Sequence, residues 1–431
     1  MRVLIVSHNV FSRTSNMGKT LLSYFRDFRP DEIAQFYIHS EIPTDDSICH
    51  NYYRFTDKDA IRSLLPFRGC GRVFRKEDIR KERRSARTDS GVTGAVYQLG
   101  RKRTALIYAL RNLLWKPGRW NTKALRKFVH DFDPDIVFFA SGDYAFMYDV
   151  ARKIADMAGK PLAVCCMDDY YLHNRNENSL LGPSVHRSFM KTVRRTMDRT
   201  QTIFTICDSM QREYETLFRK PCHVLHTAAN VLELTPDPDA KQISYIGNLD
   251  FHRHEQLVRL GRALKALQGG NTPNTIDVYS AEQNPEILKV LTDENGIRFH
   301  GAIPADEVLN VMGRSMAVIH TESFEEEMQK QVRFSVSTKI AESLMYGPCL
   351  LAFGPKGIAS MDYLIENNAA FAITSAEALE AGLMQFLTDG ALRQRILQNA
   401  RALARKNHRA DINSTKVRRW LSDAAHVPEN T

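Results

Sequence analysis

The chain has 431 residues, 43% of them hydrophobic and 25% charged, and a formal net charge of +9. That composition excludes collagen-like, low-complexity and broadly disordered chains, and the length predicts two or three domains with cores of their own. No apolar run approaches the roughly 18–20 residues of a membrane-spanning helix.

The opening residues, Met1 to His8, hold too short an apolar stretch for a signal peptide and read as a first strand. Seven scattered cysteines, with no CxxC spacing and with Cys165 and Cys166 adjacent in an apolar run, predict a reducing, cytoplasmic compartment and no zinc site. The charge is uneven. Residues 68–127 hold 18 Lys and Arg against 4 Asp and Glu, a local +14, so the rest of the chain is acidic by −5. Such an excess predicts an anionic neighbour (phosphate, nucleic acid or a membrane surface), unless it is only a solvated loop and helix face.

In chain order, short apolar, β-branched runs predict strands at 3–6, 36–38, 136–140, 162–167, 203–206 and 224–225. A second series lies at 243–246, 276–279, 297–300, 316–320, 349–353 and 371–373. Helical patterns fall between most of them, for instance at 121–130, 144–158, 209–218, 255–267 and 304–312. This alternation predicts parallel sheets covered by crossover helices on both faces. Residues 233–240 carry two prolines among acidic and small residues and read as a linker between the two series. The expected organisation is a first Rossmann-like domain over 1–235 and a second over 236–408. A C-terminal helix over 409–431, amphipathic at 412–424, is expected to pack back on the first domain. The fold class is α/β, with two doubly wound domains facing a cleft, and ligands are expected at the carboxyl ends of the strands.

Ser15-Asn16-Met17-Gly18-Lys19-Thr20 imitates the end of a P-loop, but Arg13 stands where that pattern needs glycine. There remains Gly18 at a helix start, where a phosphate approaches backbone N–H groups. The segment 333–348 is more informative. Ser337 is a candidate N-cap and Gly347-Pro348 a stop, which leaves a short helix whose N-terminus presents Ser335, Ser337, Thr338 and the Lys339 ammonium. Such an end suits a diphosphate, and Glu342, one turn on, suits a ribose diol. Asp168 and Asp169 close the run 162–167 and offer a carboxylate as general base. Asp237-Pro238-Asp239 imitates a metal-binding DxD but sits in the linker, and Glu325-Glu326-Glu327 reads as an acidic loop.

The 333–348 segment resembles the donor-binding helix of GT-B-fold glycosyltransferases, especially the glycosyltransferase family 4-like group. Glu342 matches the second Glu of that family's E-x7-E motif, which holds the nucleotide ribose, and Gly347 to Ala352 resemble the family's next segment. The chain departs from the motif at Phe334, where the first Glu would fall, and at Ser337, where the family has glycine; Glu322 is a substitute for the missing carboxylate. Residues 245–253 are similar to the first strand and loop of the family's C-terminal domain. Arg253 aligns there with the Lys that neutralises donor phosphate, and Asn248 replaces an Arg.

The resemblance implies a glycosyltransferase that moves a sugar from a nucleotide diphospho-sugar to a hydroxyl acceptor in cell-surface polysaccharide or glycolipid synthesis. Gly18, Arg253, Glu322, Ser335, Ser337, Thr338, Lys339 and Glu342 would bind the donor, and Asp168 or Asp169 would face the reacting centre. No metal or other cofactor is expected. The expected partners are the nucleotide sugar, a glycan or lipid-linked acceptor and the inner face of an anionic membrane. The rival readings are a nucleotide-sugar epimerase of the same fold and a non-enzymatic polyanion binder built on 68–127.

Overall fold

The structure, a computed structural model, describes residues 1–13, 16–45, 47–64, 70–79, 104–174, 179–229, 237, 240–267, 273–304 and 306–426. Most of the expected linker, and residues 68–69 and 80–103 of the basic segment, lie outside the described residues. The chain divides into two compact units, Met1–Leu225 with Asn413–Thr431, and His226–Ile412.

The first unit is built on eight strands: β1 (Val3–Ser7), β2 (Ile33–Tyr37), β3 (Asn51–Arg54), β4 (Arg72–Phe74), β5 (Ile136–Ser141), β6 (Leu162–Cys166), β7 (Thr200–Thr205) and β8 (Cys222–Val224). Their order is β4-β3-β2-β1-β5-β6-β7-β8, parallel except for β4 against β3. Every residue of β1, β2, β5 and β6 is buried, as a sheet covered by helices on both faces requires. The short edge strand β4 is held by Phe74, whose ring lies under the guanidinium groups of Arg54 and Arg72, each 4.6 Å from its centroid. The last helix, Ala410–Ala425, places Val417 and Leu421 in the same core as Ile5, Phe25 and Phe204. Arg418 on that helix pairs with Glu32 at 3.0 Å. Burial favours the neutral carboxyl of Glu32, but the hydrogen bonds from Arg418 and the Arg29 amide outweigh it and hold the group at about 2.

The second unit has six parallel strands: β9 (Gln242–Ile246), β10 (Ile276–Tyr279), β11 (Ile297–Gly301), β12 (Ser315–Thr321), β13 (Cys349–Phe353) and β14 (Phe371–Ile373). The order β11-β10-β9-β12-β13-β14 reverses between β9 and β12, which is the switch point of a Rossmann sheet. The helix Arg253–Ala266 lies close on the turn before β11: a Cβ on Gly261 would stand 2.4 Å from the Asn295 carbonyl oxygen, so only glycine fits.

Candidate functional site

In the second unit, β9 runs into a turn over residues 247–252 before the helix Arg253–Ala266 begins. Phe251 and His252 both adopt a φ of 57°, a left-handed conformation uncommon for residues with a side chain. Arg253 is thereby the first residue of the helix, and its guanidinium meets the residue just beyond β12. Nε and Nη2 donate to Glu322 Oε2 and Oε1 at 3.1 and 2.9 Å, and Nη1 donates to Asn248 Oδ1 at 2.6 Å. The two side chains are 13% and 1% exposed, so this is a fork-to-fork pair closed across the switch point. Burial works against the charge on Arg253, but the facing Glu322 carboxylate overrides it and the pKa is raised.

Arg253 thus begins its helix facing Glu322, each of whose carboxylate oxygens accepts a bond from the guanidinium. His320, two residues earlier on β12, is buried, with Nε2 3.0 Å from Ser360 Oγ and 3.7 Å from Glu322 Oε1. Burial depresses its pKa to about 4, the Glu322 carboxylate opposing and Arg253 adding to the shift, so the ring is neutral near pH 7.

The chain leaves β12, forms the helices Glu326–Val332 and Thr338–Tyr346, and enters β13. Because β12 and β13 are parallel neighbours, the helix entering β13 starts on the side of the sheet where the strands end. Its N-cap is Ser337, whose hydroxyl accepts from the Lys339 amide at 3.3 Å. Thr338 is its first residue, and Ile340, Ala341 and Leu344 are buried in the core beneath. Lys339 Nζ donates to Glu342 Oε2 at 2.6 Å, both side chains about a third exposed. Ser335 lies in the connection between the helices, its amide bonded to the Val332 carbonyl. Phe334, at the position of the missing family carboxylate, is buried.

The acidic triple 325–327 caps and opens a helix instead of forming a loop. Glu325 reaches the His252 ring at 3.1 Å, and that hydrogen bond raises the histidine's pKa. His252, Glu255 and Glu325 bring ligand-type atoms within 4.8 Å of one another.

In the first unit the corresponding strand ends, after β1 and β5, carry residues that no sequence motif singles out. His8 stacks on Tyr144 with centroids 5.6 Å apart and lies 5.5 Å from His39. Arg111, on the helix Ala105–Trp115, sits 3.9 Å over the Tyr144 ring and pairs with Asp57 at 3.0 Å. Burial first, then Arg111 and His39, lowers the His8 pKa to about 4. Beside it, Tyr108 donates to Asp143 at 2.6 Å, and a shallow cleft open to solvent is bordered by Tyr108, Asn112, Asp143, Tyr170, His173 and His186. For His8, Asp143 and Tyr144 the signal that would have found them is positional: they come after the two strands that flank the switch point.

Asp168 and Asp169 lie beyond β6, just before Tyr170. Asp169 Oδ1 accepts from the amides of Tyr171 and Leu172 at 3.1 and 3.0 Å and from the Tyr214 hydroxyl at 2.9 Å. Burial raises its pKa against those bonds. Asp168 Oδ1 accepts the Asp169 amide at 2.9 Å. Gly18 is the third residue of the helix Asn16–Tyr24.

Residues 255–418 match the family described as glycosyl transferase-like. A comparison with curated protein sequences gives no match. Among solved structures, the chain is similar to Anabaena HepE in complex with UDP-glucose, at TM-score 0.60 and 13% identity, over 98% of this chain and 100% of that one. It is similar to an α,α-trehalose-phosphate synthase (UDP-forming) from Burkholderia xenovorans in complex with glucose-6-phosphate, at TM-score 0.57 and 11% identity, over 98% and 100%. It is also similar to WaaG, a glycosyltransferase involved in lipopolysaccharide biosynthesis, at TM-score 0.52 and 13% identity, over 96% and 98%. At such identities the likenesses show the fold, which is GT-B. Among the described residues no helix is long and apolar enough to cross a membrane.

Proposed function

We propose that the chain, which has the GT-B fold and a glycosyl transferase-like match over 255–418, is a glycosyltransferase that uses a nucleoside-diphosphate sugar bound by the second unit. The observation that carries this reading is the Arg253–Glu322 pair at the switch point of the sheet. A guanidinium has five N–H donors; three are engaged with Glu322 and Asn248, and two remain for phosphate oxygens. Glu322 fixes the arginine before any ligand arrives, so the charge that meets the leaving diphosphate is already oriented.

The helix start at Ser337, Thr338 and Lys339 supplies further hydroxyl and backbone donors, with Ser335 just ahead of it. Lys339 and Glu342 neutralise one another as an ion pair. A nucleotide separates them: ribose hydroxyls take Glu342, and the ammonium turns to the phosphates. Positive charge for the leaving group would thus come from Arg253, Lys339 and the helix N-terminus.

The acceptor, a glycan or a lipid-linked hydroxyl, is assigned to the first unit. Asp168 is the candidate general base and Asp169 holds the loop that presents it; Gly18, near the start of the helix Asn16–Tyr24, is a candidate for a donor phosphate. Cell-surface polysaccharide or glycolipid synthesis, with peripheral contact to the inner face of a membrane, is the pathway class we favour; WaaG, with its part in lipopolysaccharide biosynthesis, is the relative that supports it. The glycosyl transferase-like match supports transfer over both the non-enzymatic reading and epimerisation.

The test is a thermal-shift series with UDP, GDP, CDP, ADP, dTDP and CMP on the wild type and Glu342→Ala. One nucleoside diphosphate is expected to stabilise the wild type, by about 2.7 kcal/mol at a hundredfold excess over Kd, and not the variant. Absence of any shift at saturating nucleotide would overturn the donor assignment.

A further inference from the structure

The helix Ala105–Trp115 is apolar on two opposite faces. Ala105, Tyr108 and Trp115 are buried, whereas Leu106, Leu110 and Leu113, at the spacing of one helical stripe, are 56%, 56% and 65% exposed. The helices that touch it continue this character. The helix Asp57–Arg62 and its exit expose Ile61 and Leu64, and the entry to Gly182–Arg199 exposes Leu180 and Leu181. Ten large hydrophobic residues are exposed among the described residues, and seven of them lie on these three neighbouring elements. Single exposed leucines are ordinary on a protein surface, but a concentration on adjacent elements marks a contact surface.

Charge identifies the partner that covers it. Lys58 and Arg62 are exposed on the first helix, and Lys116, Arg119 and Lys123 are exposed just beyond the leucine helix. Arg119 donates to the Ser63 carbonyl, which ties this basic turn to the end of the first helix. The nearby carboxylate of Asp57 is taken up by Arg111 and the Trp115 indole. In sequence the leucine helix comes directly after Arg101-Lys102-Arg103, within the segment of net charge +14. A second copy of this face would meet like charges, and a nucleic acid would leave the leucines in water. An anionic bilayer satisfies both features: leucines enter the acyl boundary while the cations meet the headgroups.

We infer that the leucine face of the helix Ala105–Trp115 docks the protein on an anionic lipid bilayer. The inference deepens the membrane contact proposed above by naming the surface that makes it. Nucleotide binding by the second unit stands or falls separately, in the thermal-shift series.

The experiment is flotation of the full chain with vesicles of phosphatidylcholine, with and without phosphatidylglycerol, at increasing salt. The wild type is expected to float only with phosphatidylglycerol, and less as salt rises. Leu106→Ser/Leu110→Ser/Leu113→Ser is expected to bind about tenfold less or weaker still, with far-UV circular dichroism and melting temperature retained. Leu113→Cys carrying an environment-sensitive dye is expected to shift to the blue on the anionic vesicles alone. Three results would overturn the inference: a wild type that stays unbound, a triple variant that floats like the wild type, or a Leu113 dye already shielded from a soluble quencher without vesicles. The last outcome, combined with light scattering, separates cover by a second copy from cover by this chain's own residues.

Discussion

In the second unit, the strands flanking the switch point, β9 and β12, end on a buried ion pair, Arg253 with Glu322. In the first unit the equivalent strands, β1 and β5, end on stacked rings, His8 on Tyr144, with Arg111 over the tyrosine face. The same reversal of strand order therefore carries fixed charge in one sheet and neutral, aromatic chemistry in the other. A diphosphate asks for the first kind of surface and a sugar or hydroxyl acceptor for the second. The difference lies in the segments beyond the strands: Glu322 and His8 follow theirs directly, Tyr144 comes shortly after β5, and Arg253 closes the turn after β9.

The sharpest way to break this comparison is to remove half of the ion pair. Glu322→Ala leaves the Arg253 charge buried without its partner, and a loss of about 3–5 kcal/mol is expected in urea denaturation. A loss below about 1 kcal/mol would mean that the guanidinium finds water or another partner and that the site is less closed than its geometry indicates.

Acid tests the feature that the two switch points share. His8 and His320 each have a folded pKa of about 4, against about 6.5 when unfolded. Above pH 6.5 neither state binds the proton, and these residues add no slope. Between pH 6.5 and 4 the unfolded chain takes the proton and the folded chain does not, so stability falls as acid is added. Each histidine contributes about 3 kcal/mol over that window. His320→Gln should flatten the acid limb of the second unit and His8→Gln that of the first, read by denaturation at pH 4.5 and 7. Unchanged pH dependence in both variants would show that the rings titrate normally.

A smaller effect separates the two aspartates of the first unit. Asp169→Ala strands two amides and the Tyr214 hydroxyl, with an expected cost of about 2 kcal/mol. Asp168→Asn should leave the melting temperature nearly unchanged and lower kcat in a sugar-transfer assay. Comparable turnover in that variant and the wild type would remove Asp168 from the chemistry.

The smallest change in stability is expected at the half-exposed pair. Lys339→Ala should move the folding free energy by less than about 1 kcal/mol, since exposed ion pairs contribute little. It should nevertheless weaken nucleoside-diphosphate binding, measured by calorimetry. Undiminished affinity would leave the phosphates to Arg253 and the helix start alone.

Much of the framework is legible in the sequence. The runs at 276–279, 349–353 and 371–373 coincide with β10, β13 and β14; β13, buried throughout, is the short, uninterrupted apolar run that a covered parallel strand requires. β3 and β4 are hidden, β4 being a short edge strand and β3 the short strand beside it, with Asn51, Arg54 and Arg72 at their ends. Arg253 and Glu322 are both visible as residues after strands. Their pairing is not, since it spans 69 positions and exists only because the strand order makes β9 and β12 neighbours. His8, Tyr144 and Arg111 match no motif, and their meeting likewise depends on strand order. The acidic triple misleads because three like charges resemble a solvated loop. At the first turn of a helix the same charges are favoured by the backbone dipole.

The turn before Arg253 holds Phe251 and His252 at a φ of 57°, a conformation that disfavours side-chain-bearing residues by about 1 kcal/mol each. Glycine at either position would make a hardier fold by that measure, and anyone engineering the protein for heat resistance would be drawn there early. The same change would hand freedom back to the segment that aims the guanidinium. If Arg253 holds phosphate as proposed, thermal tolerance and that grip are set against each other in two adjacent residues, and selection for one alone should erode the other.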